Sequence, residues 1–146
     1  MSKNIRPIAI CIFYFQGKIL ATQGYDRVRK EKFYRPIGGG INFGETSRKA
    51  LIREVKEELS TEITALKKMG TFENIFTYQG KKGHEIIFVY DAKFVDPKFY
   101  SKKKIIVSEE GTKSEAVWLK INDLSKKNIL LYPVGLKELI KRNCKK

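Results

Sequence analysis

Glu54, Glu57 and Glu58 crowd into the run Arg53-Glu54-Val55-Lys56-Glu57-Glu58-Leu59-Ser60. At about 100° per residue they project from one arc of a helix, beside the arc that carries Leu51, Val55 and Leu59. Carboxylates spaced i, i+3, i+4 repel one another and cost helix stability. Lys49 and Lys56 point elsewhere, which leaves Arg53 as the nearest cation. Oxygen-rich arcs of this kind suit hard divalent cations, which bind one or two carboxylates together with substrate phosphates. The chemistry on offer is a divalent cation held against a phosphate group. Alone, the run reads better as a plain charged helix face, because glutamate-rich helices are common and the spacing is unspecific.

The preceding residues decide between the two. Reading forward, Gly39, five residues, Glu45, seven residues and then Arg53-Glu54-Val55-Lys56-Glu57-Glu58 form one spaced pattern within GGINFGETSRKALIREVKEELST. This resembles the Nudix box, G-x5-E-x7-R-E-U-x-E-E-x-G-U with U aliphatic. Agreement at Gly39, Glu45, Arg53, Glu54, Val55, Glu57 and Glu58 arises by chance in such a chain about once in 10⁵. Ser60 and Thr61 depart from the box, where it has glycine and an aliphatic residue. That glycine position ends the helix and wants a left-handed backbone, which costs serine about 1 kcal/mol.

The resemblance implies an α/β/α sandwich with a mixed sheet and a divalent-metal-dependent hydrolase acting on a nucleoside diphosphate linked to another moiety. Glu54, Glu57 and Glu58 would hold Mg²⁺, with Mn²⁺ as the alternative, and Glu45 would add a ligand directly or through water. Gly38, Gly39 and Gly40 allow backbone N–H groups to approach phosphate closely, and the following helix adds its dipole. Arg53 orients a box carboxylate through its planar fork, making it catalytic alongside Glu54 and Glu57. Glu110, in Ser108-Glu109-Glu110-Gly111, is the first candidate for a general base outside the box; Glu109, Glu115 and Glu85 follow. A single histidine is more often structural or exposed than catalytic, so His84 is left out. Phe33, Tyr34, Phe43, Phe76 and Tyr78 read as core or strand-face residues before base-stacking ones.

The expected substrate is a small nucleotide: a nucleoside triphosphate, ADP-ribose or a nucleotide sugar, or a dinucleoside polyphosphate. An RNA 5′ pyrophosphate is a less favoured alternative. A non-catalytic nucleotide-binding module is the third reading, but a pure binder has no need of three crowded carboxylates.

These groups need elements to position them. Thr46 caps a helix running to Leu59, with Leu51, Ile52, Val55 and Leu59 as its apolar stripe. Ile8 to Tyr14, a turn at Gln16-Gly17, and Lys18 to Thr22 read as a hairpin. Phe33 to Ile37 is extended, since Pro36 biases Arg35 away from helix. Gly38 to Gly40 and Gly44 bracket a loop. Ile63 to Thr77 holds a strand, and Glu85 to Phe94 is another. Val95 to Lys113 reads as a polar loop, Ala116 to Ile121 as a strand, and Leu136 to Arg142 as a helix. Ser125 to Leu131 is ambiguous. The mixture argues for a sheet covered by helices.

At 146 residues the chain suits one domain over residues 1–146. Its outlier is charge, a net +14 with pI near 9.8, which favours anionic partners. The lysines are scattered, including Lys126-Lys127 and the tail Lys141-Arg142-Asn143-Cys144-Lys145-Lys146, so most of them simply solubilise. Cys11 and Cys144 form neither a disulfide framework nor a metal-spaced cluster, and the chain reads as cytoplasmic. The apolar run up to Phe15 follows Lys3 and Arg6 but is too short to span a bilayer, and no small-residue cleavage site follows. It reads as a buried first strand, with no membrane partner. Monomer and homodimer are both compatible with this composition.

Overall fold

The apolar run expected as a buried first strand forms β1, Arg6–Phe15, in a computed structural model that describes residues 3–126 and 128–143. Lys127, Cys144 and the last two lysines of the basic tail lie outside the described residues. Side chains alternate across a strand, and in β1 both sets are buried. Ala9, Cys11 and Phe13 enter one core cluster, and Ile8, Ile10 and Ile12 enter another.

Each cluster is closed by one helix. The first receives Leu51, Val55 and Leu59 of α1, Ser47–Leu59, and the second receives Leu136, Leu139 and Ile140 of α2, Leu136–Asn143. The layers are therefore helix, sheet, helix, as the mixture of elements and the resemblance both implied. Thr46 caps α1 as expected, its hydroxyl accepting from the Lys49 N–H at 3.2 Å. Ser60 follows the helix at φ 53°, ψ 41°, the left-handed conformation that the glycine of the box would adopt without steric cost.

The remaining strands are β2 (Lys18–Asp26), β3 (Glu31–Arg35), β4 (Ile37–Gly40), β5 (Ile63–Tyr78), β6 (Lys81–Phe94), β7 (Lys104–Glu109) and β8 (Thr112–Lys120). The sheet path runs β5-β6-β1-β2-β8-β7, with β3 on β2 and β4 on β1. β1 and β6 pair parallel and the other pairs are antiparallel, so the sheet is mixed. Three hairpins turn on Gln16-Gly17, Gln79-Gly80 and Glu110-Gly111, each with both residues at positive φ, as two-residue turns matched to strand twist require.

Two sequence expectations need correction. Val95 to Lys113 is not a polar loop: it contains a 3₁₀ turn at Pro97–Tyr100 and the whole of β7. Ile105 and Val107 of β7 are buried and Ile106 is exposed, a period-two pattern too short to stand out among flanking lysines. Gly38 to Gly40 belong to a strand rather than a loop, paired with Ile10, Ala9 and Ile8 of β1. The ambiguous stretch before Leu131 is held by backbone bonds to β3, Tyr34 N–H to Leu130 O at 2.7 Å and Tyr132 N–H to Tyr34 O at 3.0 Å.

Asp26 ends β2 as a buried carboxylate. It accepts from the N–H groups of Val28 and Arg29 in its own turn, and from Gln79 N–H in the β5–β6 turn at 3.4 Å. Arg27 N–H donates to Gln79 Oε1 at 3.0 Å. The two turns are thereby tied together. Among the described residues no helix is long and apolar enough to cross a membrane.

Candidate active site

The glycines of β4 lie under the N-terminal half of α1. A Cβ on Gly39 would run into the Glu54 carboxyl, and one on Gly38, at φ 151°, would meet the backbone of Ala9 and Ile10. The helix can approach β4 this closely only because Gly39 carries no side chain, and β4 can lie this close on β1 only because Gly38 carries none.

Arg53 fixes the geometry above them. Its Nε donates to Glu45 Oε2 at 2.7 Å and its Nη2 to Glu45 Oε1 at 2.9 Å. Nη1 reaches Glu54 at 3.0 Å and Glu57 at 3.2 Å, and Nη2 also donates to Gly40 O at 2.9 Å. One guanidinium thus joins the β4–α1 loop, the glycine strand and two residues of the carboxylate arc. Glu45 Oε1 also accepts from Asn42 N–H. The Arg53 hydrogen bonds, and then that of Asn42, hold the Glu45 carboxyl down at about 2.

The other carboxylates behave differently. Glu54 is raised by burial, which the hydrogen bond from Arg53 only partly offsets. Glu58, 5 % exposed, is pushed up to about 8 by burial, then by the charges of Glu109 and Glu54. Its carboxyl faces that of Glu109 at the end of β7, where the next residue, Glu110, sits in the turn at φ 46°. Glu109 and Glu110 both line the cavity described below, but it is Glu109 that stands against the arc. Glu115, on β8, lies 3.9 Å from Lys104 Nζ.

Among the described residues no three of these side chains already converge as a metal-holding group. Arg53 stands between Glu54 and Glu57, and Glu58 turns to Glu109. The donor chemistry nevertheless fits a hard divalent cation: the ligands are all carboxylate oxygens, and the buried Glu58 is surrounded by like charge.

The arc opens on a cavity of about 1060 Å³. Gly38, Gly39 and Gly40 form part of its wall, together with Glu54, Glu57 and Glu58. Nearer the tied turns the wall is aromatic. Phe33 meets Tyr78 and Tyr132 edge-on, each at 5.7 Å between ring centroids, and Phe76 lies alongside. Tyr34 is core and Phe43 is fully exposed. Asn74 and Glu85, cross-strand partners on β5 and β6, also line the cavity, as do Arg6 and Arg35.

The sequence reading passed over Tyr132, Asn74, Arg6 and Arg35. Arg35 carried a signal, a cation just ahead of the glycine run. Tyr132 carried none, since its place depends on the backbone bonds to Tyr34.

A family model described as the NUDIX domain matches residues 3–141. Comparison with curated proteins gives no significant match. Among solved structures, a MutT NUDIX hydrolase from Burkholderia pseudomallei is similar at TM-score 0.69 and 18% identity, over 96% of this chain and 98% of that one. A NUDIX hydrolase from Nitrosomonas europaea aligns at TM-score 0.67 and 16% identity, over 94% and 87%. A MutT protein from Bacillus halodurans aligns at 0.62 and 17%, over 94% and 80%. At these identities the likeness is one of fold.

Proposed function

Because the chain belongs to the Nudix family of hydrolases, matched over residues 3–141, we propose that it cleaves the pyrophosphate bond of a small nucleoside diphosphate derivative, as one cytoplasmic domain dependent on Mg²⁺ or Mn²⁺. One observation carries this reading: a carboxylate arc held by Arg53 packs on the glycines of β4 and shares with them one wall of a cavity that is aromatic farther along.

Glu54, Glu57 and Glu58 would hold the cation, which when bound supplies charge neutralisation at the diphosphate and a more acidic water. Glu45 has both oxygens engaged by Arg53, so its role is to hold the fork rather than to ligate directly. Arg53 in turn keeps Glu54 and Glu57 apart and aimed over β4. Gly38 and Gly39 let β1 and the Glu54 carboxyl close on the strand, and Gly40, where a Cβ would meet only Arg6 Nη2 at 3.6 Å, leaves room for phosphate beside it. The proton of the attacking water goes to Glu109, which stands nearer the arc than Glu110, the candidate ranked first from sequence. Phe33, Tyr78 and Tyr132 offer ring faces and edges to a base.

The test is a screen of the purified protein with Mg²⁺ against nucleoside triphosphates, nucleotide sugars and dinucleoside polyphosphates, scoring release of phosphate or nucleoside monophosphate. Glu57 is more than half exposed, so Glu57→Gln keeps the fold and is expected to lose about 10²-fold or more in kcat. Full activity in that variant would remove the metal site from the argument.

One observation favours a second reading, an RNA 5′ end. The tied turns carry Arg27, Arg29, Lys30, Lys81 and Lys82, of which Arg29 and Lys82 line the cavity. Loss of activity by about 10-fold or more between low and moderate salt, on a 5′-triphosphorylated RNA and not on free nucleotide, would favour it.

A further inference from the structure

Resting on the hydrolase reading above, we propose that Arg6 and Arg35 form a two-guanidinium subsite for a phosphate beyond those held at the carboxylate arc, and that the substrate is therefore a nucleoside carrying three or more linked phosphates. The contrast with Arg53 carries the inference. Arg53 spends all three of its nitrogens on protein acceptors at 2.7 to 3.2 Å. Arg6 and Arg35 do not. Their paired carboxylate oxygens, Glu85 Oε2 and Glu109 Oε1, each lie 3.8 Å away, and the two arginine side chains are 64% and 58% exposed. That distance is outside hydrogen-bond range. Both arginines line the cavity, and among the described residues neither side chain donates a hydrogen bond.

Their placement is specific. Arg35 ends β3 and leads through Pro36 into the glycine strand. Arg6 begins β1, two residues before Ile8, which pairs with Gly40. Arg6 Nη2 lies 3.6 Å from where a Cβ on Gly40 would stand, and Arg35 leads into the other end of β4, so the two arginines flank the glycine run. Glu85 lies in the field of both arginines, and Glu58 and Glu109 are close to Arg35. Arg35 thus stands between the carboxylate arc and Glu85. A planar fork with free donors beside the open face of Gly40 matches phosphate, which accepts bidentately.

The substrate class follows from counting phosphates. A nucleotide sugar has two, and both belong at the scissile linkage beside the arc. A nucleoside triphosphate brings a third group that the arc does not reach, and the arginines supply its partner.

The test compares wild type, Arg35→Ala, Arg35→Lys, Arg6→Ala and Glu57→Gln on a nucleoside triphosphate and a nucleotide sugar with Mg²⁺. Calorimetric titration with inorganic tripolyphosphate in the absence of metal runs in parallel. Arg35→Ala is expected to lower kcat/KM on the triphosphate by about 30-fold, mainly through KM, with partial recovery in Arg35→Lys. Turnover of the nucleotide sugar should fall by less than about 3-fold in Arg6→Ala, whose side chain pairs with Glu85 and not with Glu109, and tripolyphosphate binding should weaken by about 10-fold in each alanine variant. Equal losses on both substrates, or none on the triphosphate, would overturn the proposal. If wild type hydrolyses nothing, the hydrolase reading has failed, and tripolyphosphate still decides the subsite. Binding that depends on Arg6 and Arg35 supports it, and binding indifferent to both overturns it.

Discussion

Arg53 grips Glu45 through two parallel N–H···O bonds, of 2.7 and 2.9 Å, across the seven residues that lie between them in sequence. The pair closes the β4–α1 loop onto the helix, and the same guanidinium then sets Glu54 and Glu57. Arg53→Lys keeps the charge and loses the fork. It should lower kcat/KM by about 30-fold and cost roughly 2 kcal/mol of stability, read from steady-state kinetics and urea denaturation. A lysine variant with native kinetics would mean that charge alone suffices.

Gly39 and Gly40 make a paired test of packing. A methyl group at Gly39 overlaps the Glu54 carboxyl, whereas at Gly40 it meets only Arg6 Nη2 at 3.6 Å. Gly39→Ala should therefore reduce kcat/KM by about 100-fold, as expected when a catalytic group is displaced by an ångström. Gly40→Ala should lose less than about 10-fold, since an ordinary contact displaces nothing. Equal effects would show that both positions respond to loss of backbone freedom instead.

Glu58 couples metal, protons and stability. Its carboxyl rises from 4.5 to about 8 on folding, so the folded state keeps a proton that the unfolded chain has released. The stability this lends is fully present below about 4.5 and lost as pH climbs to about 8. Metal-free protein should lose stability over that window, and Glu58→Gln should flatten the profile in thermal unfolding. Cation binding must expel the proton. Mg²⁺ affinity should therefore strengthen from pH 6 toward about 8, with proton release visible by calorimetry in two buffers of different ionisation enthalpy.

Ser60 holds a left-handed backbone that glycine adopts freely. Ser60→Gly should raise stability by about 1 kcal/mol and Tm by about 3 °C while leaving turnover unchanged. A fall in Tm would mean that the serine contributes more than it costs.

The catalytic helix was legible because its signals are local: an N-cap, an apolar stripe and carboxylates at fixed spacing all lie within one segment. The first strand was legible for a similar reason, its unbroken apolar run announcing burial on both faces. Strand β7 was not, since three apolar residues between lysines and glutamates acquire their phase only by packing on α1. The choice between Glu109 and Glu110 was equally hidden. Neighbours in sequence point apart once a two-residue turn fixes the hairpin, and nothing in Ser108-Glu109-Glu110-Gly111 states which one ends the strand. The role of the glycine triplet as a paired strand also depends on a distant partner, β1.

Asp26 gives the far end of the cavity a fixed collar. One buried carboxylate takes three N–H groups from two hairpin tips, and those hydrogen bonds hold its pKa below 3.8, so the clasp stays charged at neutral pH. Its stability is present above the unfolded value and is lost only as pH falls through the lower, folded one. This end of the cavity is therefore part of the scaffold: parting the two turns would break the N–H bonds that a buried carboxylate holds together.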